Sequence, residues 1–169
     1  MVPRLSPRLA AIVDALPLTP ASRVVEVGCG PGAAARAVAE RVPDGLVVAI
    51  DRSAKAIDQA VARSGGLMAA GRVRFERVAI EDFVLPADEP RFDVAFAVRV
   101  GALDGRHPSA GEQALARLCD LLTPTGRLFI DGGDPLREVR LDRGPRRFDF
   151  TDGRYAVGRS AVHGRRSRT

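Results

Sequence analysis

Apolar and polar positions change period several times along the chain, and those changes mark out its strands and helices. Residues 23–27 and 46–50 are short, nearly continuous β-branched runs bounded by turn residues, as expected of strands covered on both faces. Residues 73–79 alternate well enough for a third strand, while 93–98 and 127–131 supply a fourth and a fifth. Between them the period lengthens to that of a helix. Ser6-Pro7 reads as an N-cap with proline at the first helical position; Leu9, Ile12, Val13 and Leu16 then share one face until Pro17 stops the helix. This helix is expected to cover the sheet's edge or lean over the mouth of a ligand site. A small-residue helix containing Ala33, Ala37 and Val38 ends near the turn signal Pro43-Asp44-Gly45. Ser53 caps the next helix, with Ile57, Ala60 and Val61 toward the sheet and Ser64-Gly65-Gly66 closing it. Ser109-Ala110-Gly111-Glu112 forms a capping box for a helix whose buried stripe is Leu115, Leu118 and Leu122, and Pro124-Thr125-Gly126 turns it into the fifth strand. Residues 132–145 have weak periodicity and predict a loop or one short turn. Residues 147–150 and 154–162 flank Thr151-Asp152-Gly153 as an antiparallel hairpin. The whole predicts an α/β fold: a doubly wound, mostly parallel sheet with an antiparallel C-terminal hairpin, in a single domain.

The junction of the first strand with its helix carries the chemistry. Gly28, Gly30 and Gly32 follow the strand as G-x-G-x-G, while Gly28, Gly30 and Ala33 also satisfy the dinucleotide form G-x-G-x-x-A. Either way, small residues let backbone pass close to a ligand at a helix N-terminus. Asp51 ends the second strand, about twenty residues beyond the first glycine, where an acidic side chain can take both hydroxyls of a ribose. An adenosine-type ligand follows.

Glu26, two residues before the first glycine, and the order of the later segments decide between ligands. Residues 24–32 (VVEVGCGPG), 47–53 (VVAIDRS), 91–98 (RFDVAFAV) and 121–130 (LLTPTGRLFI), in that order, resemble the motifs of the class I S-adenosylmethionine-dependent methyltransferases. The resemblance covers most of the chain. It implies a Rossmann-like methyltransferase fold, S-adenosylmethionine as cofactor, and methyl transfer by direct displacement. Carried over residue by residue, it implies that Gly28, Cys29 and Gly30 present backbone to the aminoacyl and ribose parts and that Glu26 helps hold the turn and the methionine ammonium. Asp51 would take the ribose hydroxyls, and Ala97 lies at the end of the fourth strand in the same set. Simpler roles stand beside these: an exposed strand-end carboxylate for Glu26 and a helix cap for Asp51. At the adenine end the chain departs from the family. Arg52 stands where an apolar stacking residue is usual, so its guanidinium could stack or point to solvent. Val78-Ala79-Ile80 replaces the usual Gly-Asp-Ala, leaving the backbone N–H of Ile80 to read the ring and Glu81 or Asp82 to replace the missing side chain, unless both acids are solvated or capping.

Composition narrows the picture further. At 169 residues the chain predicts one domain, 1–163, followed by a flexible basic tail, 164–169, with no room for the separate catalytic half of a nicotinamide dehydrogenase. Net charge is +5 from 26 basic and 21 acidic residues, a modest excess, and an aromatic content of 5% offers few stacking platforms, which argues against a nucleic-acid partner. Cys29 and Cys119 form no C-x-x-C, so neither a disulfide framework nor a metal site is expected. The absence of a membrane-length apolar run or a signal-peptide core points to a cytoplasmic protein without membrane association.

Direct displacement at a sulfonium methyl demands alignment more than functional groups, so a catalytic triad is not expected. Candidate acceptor residues lie after the fourth strand, Arg99, Asp104, Arg106 and His107, and after the fifth, Asp131 and Asp134. His107 is a candidate general base, set against a plain surface histidine before Pro108; with Arg99 it makes up the catalytic candidates, while His163 in the tail has no assigned role. The reading is an S-adenosylmethionine-dependent methyltransferase acting on an O, N or C nucleophile of a small molecule. Two alternatives stay open: a catalytically idle cofactor-binding module or partner subunit, and an RNA or protein methyltransferase. A homodimer is compatible with either.

Overall fold

A computed structural model describes residues 5–103 and 108–141, and the backbone of 148–149 and 156–157. In chain order the elements are α1 (Pro7–Ala15), β1 (Arg23–Val27), α2 (Ala33–Arg41), β2 (Leu46–Asp51), α3 (Ala54–Ala62), α4 (Gly65–Ala69) and β3 (Val73–Arg77). A 3-10 turn (Ile80–Asp82), β4 (Phe92–Ala97), α5 (Pro108–Leu121), β5 (Leu122–Asp131) and β6 (Leu136–Val139) follow. β7 (Phe148–Asp149) and β8 (Ala156–Val157) form a separate antiparallel pair.

The main sheet runs β3-β2-β1-β4-β5-β6, parallel except for β6. After β1 the chain moves outward to β2 and β3, then returns to the other side of β1 with β4. That reversal is the switch point at which open α/β sheets leave a crevice beyond the carboxyl ends of the strands. The doubly wound reading therefore holds.

Strand alternation sorts the core into two halves. Val25, Val27, Val48 and Ile50 face a cluster closed by Leu115, Leu118 and Leu121 of α5 together with Ile80 and Phe83. Val24, Val47, Ala49 and Phe96 face the other cluster, closed by Val13 and Leu16 at α1, Ala35 and Val38 of α2, and Ile57 of α3. With a period of two, Glu26 falls on the same face as Val24, beneath α2.

Several local expectations are corrected. Val61 is 38% exposed while Ile57 and Ala60 are buried, because α3 has room for only a narrow stripe against the sheet. α3 ends at Ala62, just before Ser64-Gly65-Gly66 as expected, but a short unpredicted helix, α4, starts at Gly65, and the Ser64 hydroxyl donates 2.6 Å to the carbonyl of Ala60. α5 already includes Pro108, so Ser109 lies inside the helix and the capping box does not form there. Leu122 is buried as the first residue of β5, where it pairs with Phe92; the register then shifts past Pro124-Thr125-Gly126 before Arg127 meets Val94. Leu136–Val139, in the segment expected to be a loop, is the antiparallel strand beside β5, with Arg137 opposite Ile130. Pairing with an existing edge overrides its weak periodicity. Of the predicted C-terminal hairpin, β7 and β8 are described and pair antiparallel within its expected strands, while its Asp152-Gly153 turn and the 164–169 tail lie outside the described residues.

Candidate functional site

At the carboxyl end of β1 the chain enters the left-handed region three times, at Gly28 (φ +69°), Gly30 (φ +52°) and Gly32 (φ +73°). Each has its own reason. A Cβ on Gly28 would lie 2.7 Å from a Val100 methyl, and one on Gly32 2.7 Å from the Phe75 ring, whereas one on Gly30 would meet nothing within 4 Å. Gly28 and Gly32 thus admit neighbouring elements, and Gly30 keeps its surroundings open.

The N–H groups of the turn are used within the protein. The N–H groups of Gly28 and Cys29 both donate to the carbonyl of Ile50, at 2.8 and 3.0 Å, and that of Gly30 donates 2.9 Å to Asp51 Oδ2. These three amides stitch β1 to β2 and do not point at a ligand as donors. Asp51 Oδ1 accepts from the Ser53 N–H at 2.8 Å, so the same carboxylate also braces the entry to α3. Ser53 is itself the N-cap, accepting from Ala56. An ionised carboxylate has about four lone-pair sites, so Asp51 retains one free acceptor position on each oxygen.

Glu26 is not an exposed strand end. It is 4% exposed, and one side-chain oxygen, Oε2, has no hydrogen-bond partner among the described residues. Its carboxyl accepts the backbone N–H of Ala35 in the first turn of α2, whose own N-cap, Gly32, offers no side chain. A strand residue therefore caps the helix across the layer gap. Burial raises its pKa to about 8, against the lowering effects of the Ala35 N–H and nearby Arg36; Asp51 adds to the rise. Cys29, buried beside both acids, has its thiol pushed up by burial and by those two charges, which makes it a poor nucleophile.

A cleft opens beside the turn, lined by Val27, Gly28, Ile50, Asp51, Arg52, Val78, Ala79, Ile80, Val100 and Ala102. Ile80 is buried in its wall. The Arg52 side chain is 73% exposed, and its Nη2 lies 3.7 Å from Glu81 Oε1, forming an ion pair between the end of β2 and the 3-10 turn. Glu81 is held by its backbone too, its carbonyl accepting from Arg117 of α5 at 3.3 Å. Asp82 is exposed. Ala97 is 1% exposed, paired with Val27 and Ile130, and belongs to the core beneath the cleft.

Val100 and Ala102 carry no sequence signal. They reach the cleft only because the turn after β4 folds back over Gly28. In the same turn Arg99 adopts φ +59°, and its backbone N–H donates 3.0 Å to Asp131 Oδ1; Asp131 Oδ2 accepts from Arg8 of α1, also at 3.0 Å. The end of β5 thus ties α1 to the turn after β4, which places α1 over the ligand end of the sheet as expected. Asp134 is exposed. Asp104, Arg106 and His107 lie outside the described residues. Among those described, no group of three or more His, Cys, Asp or Glu could hold a metal ion, and no helix is long and apolar enough to cross a membrane.

A parallel sheet with a switch point, a three-glycine turn beyond it and an acid at the end of the adjacent strand define a nucleotide-type ligand domain. The family model for a methyltransferase domain matches residues 24–126, and the chain belongs to that family. It is 31% identical over 131 residues to a trans-aconitate 2-methyltransferase of Methylobacterium nodulans, covering 76% of this chain and 45% of that protein. It is 36% identical over 145 residues to a protein-L-isoaspartate O-methyltransferase of Methylorubrum populi, covering 85% and 62%. A solved structure of an S-adenosylmethionine-dependent methyltransferase from Geobacter sulfurreducens, in complex with S-adenosylhomocysteine, matches with a TM-score of 0.59 at 26% identity, covering 75% of this chain and 48% of that one. The chain spans less than two thirds of the length of these relatives.

Proposed function

We propose that this chain binds S-adenosylmethionine at the glycine turn and transfers its methyl group to a nucleophile on a small molecule. The observation that carries this reading is the unpartnered Oε2 of buried Glu26, beside a turn whose Gly30 leaves open space and an Asp51 carboxylate with acceptor capacity to spare. A ligand with an ammonium at one end and a ribose at the other matches that donor demand. Glu26 would hold the ammonium, Asp51 the ribose hydroxyls, and Ile80, Val78 and Ala79 the apolar face of the base. When bound, S-adenosylmethionine supplies a methyl on a sulfonium, so that an acceptor lone pair forms the new bond as the carbon–sulfur pair returns to sulfur. The protein's part is alignment and exclusion of water, and alignment of this kind is worth roughly 7–11 kcal/mol of barrier. The relatives' printed activities, on trans-aconitate and on protein L-isoaspartate, both support methyl transfer, and the first supports a small-molecule acceptor.

The test is calorimetric titration with S-adenosylmethionine and S-adenosylhomocysteine, followed by incubation with methyl-labelled cofactor and a metabolite extract. Binding of both cofactors and label transfer to a small molecule are expected. Binding without transfer would favour the idle-module reading, which Val100 seated on Gly28 and the Arg52–Glu81 pair at the cleft also favour. Transfer to RNA or protein alone would replace the small-molecule acceptor.

A further inference from the structure

A second cavity, of about 180 Å³, lies under the first turns of α1 at the end of β4, lined by Ser6, Arg8, Leu9, Ile12, Val98 and Arg99. Its apolar wall is Leu9, Ile12 and Val98, and its rim carries two guanidinium groups. We propose that this cavity binds the methyl acceptor and that the acceptor is a small molecule bearing a carboxylate at one end of a compact apolar body. Calling the occupant the acceptor rests on the methyl-transfer reading above; the anion site itself does not.

Charge and position support this together. Asp131, the acid that meets both arginines, is already engaged on both oxygens, by Arg8 and by the Arg99 main chain. The Arg99 guanidinium has no hydrogen-bond or ion-pair partner among the described residues, and Arg8 holds Asp131 through Nη2, leaving further donors on its fork. Among the described residues, two arginines against one carboxylate leave a net cationic rim. Guanidinium groups stay charged and match a carboxylate with two parallel donors. Arg99 is a side-chain-bearing residue in the left-handed region, held there by Asp131. Such conformations are uncommon outside glycine and cluster where a loop is positioned for a ligand. Val98 follows Ala97, the β4 partner of Val27, which precedes Gly28, so the cavity opens at the same end of the sheet as the glycine turn.

The experiment titrates the full chain with benzoate and with benzamide, its neutral counterpart, by ligand-observed NMR, with and without S-adenosylhomocysteine. Benzoate is expected to bind at least about tenfold more tightly than benzamide. Arg99→Gln should erase most of that difference and Arg99→Lys restore part of it. Asp131→Asn should tighten benzoate and leave benzamide unchanged, because it releases Arg8 while an amide oxygen still accepts from Arg99. Equal binding of the two probes, indifference of benzoate to Arg99→Gln, or weaker benzoate binding in Asp131→Asn would each overturn the proposal. S-adenosylhomocysteine binding without benzoate binding defeats the anion site and leaves the cofactor reading intact; benzoate binding without S-adenosylhomocysteine binding does the reverse.

Discussion

Glu26 sits where a carboxylate is costly, and that cost has a measurable pH signature. Its folded pKa of about 8 lies above the ordinary 4.5, so between those values the folded chain holds a proton that the unfolded chain has lost. The contribution to stability is complete below about pH 4.5 and is lost as pH rises through about 8, at no more than roughly 1.4 kcal/mol per pH unit. Glu26→Gln, which keeps an oxygen for the Ala35 N–H, should flatten this dependence. Urea unfolding at several pH values checks it, and parallel slopes in both proteins would remove the buried-acid account. Asp51 makes the opposite case. Its two backbone bonds mean that Asp51→Ala should lower stability by about 1–3 kcal/mol as well as weaken cofactor binding, since it leaves the Gly30 and Ser53 N–H groups without their partner. A variant with full stability and lost affinity would confine Asp51 to ligand binding.

At the scale of elements, the glycine turn acts through packing more than through donated hydrogen bonds. Gly32→Ala places a methyl against Phe75 and Ala60 at φ +73°, and should cost upwards of about 1 kcal/mol. Thermal melting checks this; an unchanged midpoint would mean that α3 and β3 yield easily. The turn after β4 is the second working element. Val100 packs on Gly28 and lines the cleft, so Val100→Ala should widen it and raise affinity for S-adenosylhomocysteine severalfold without unfolding the domain. Reduced affinity in a calorimetric titration would show instead that Val100 forms a wall the ligand needs.

For the whole molecule, α1 both fills the core and ties down the ligand end of the sheet. Ile12 and Val13 are fully buried and Leu16 nearly so, while Arg8 reaches the end of β5. Burying each such side chain is worth roughly 1.5–3 kcal/mol, against a total stability near 5–15 kcal/mol for an ordinary domain. Removing residues 1–16 should therefore abolish cooperative melting, as followed by circular dichroism. A truncated chain with a native melting profile would show that the sheet and its remaining helices suffice.

Sequence by itself determined the strand cores, the order of the first four strands, the α1 cap at Ser6, the glycine turn and the acid at 51, because each rests on local periodicity or on a backbone conformation that few residues can adopt. It also brought Glu26 and Asp51 to one site, since neighbouring parallel strands ending together leave little freedom. Only the tertiary structure decided what those residues touch. That Asp51 binds Gly30, that Glu26 caps α2, that Arg52 pairs with Glu81, that Val100 covers Gly28 and that Asp131 joins α1 to β4 all depend on loops folding over a completed sheet. β6 was hidden for the same reason: the bonds that make Leu136–Val139 a strand come from β5 and not from its own pattern.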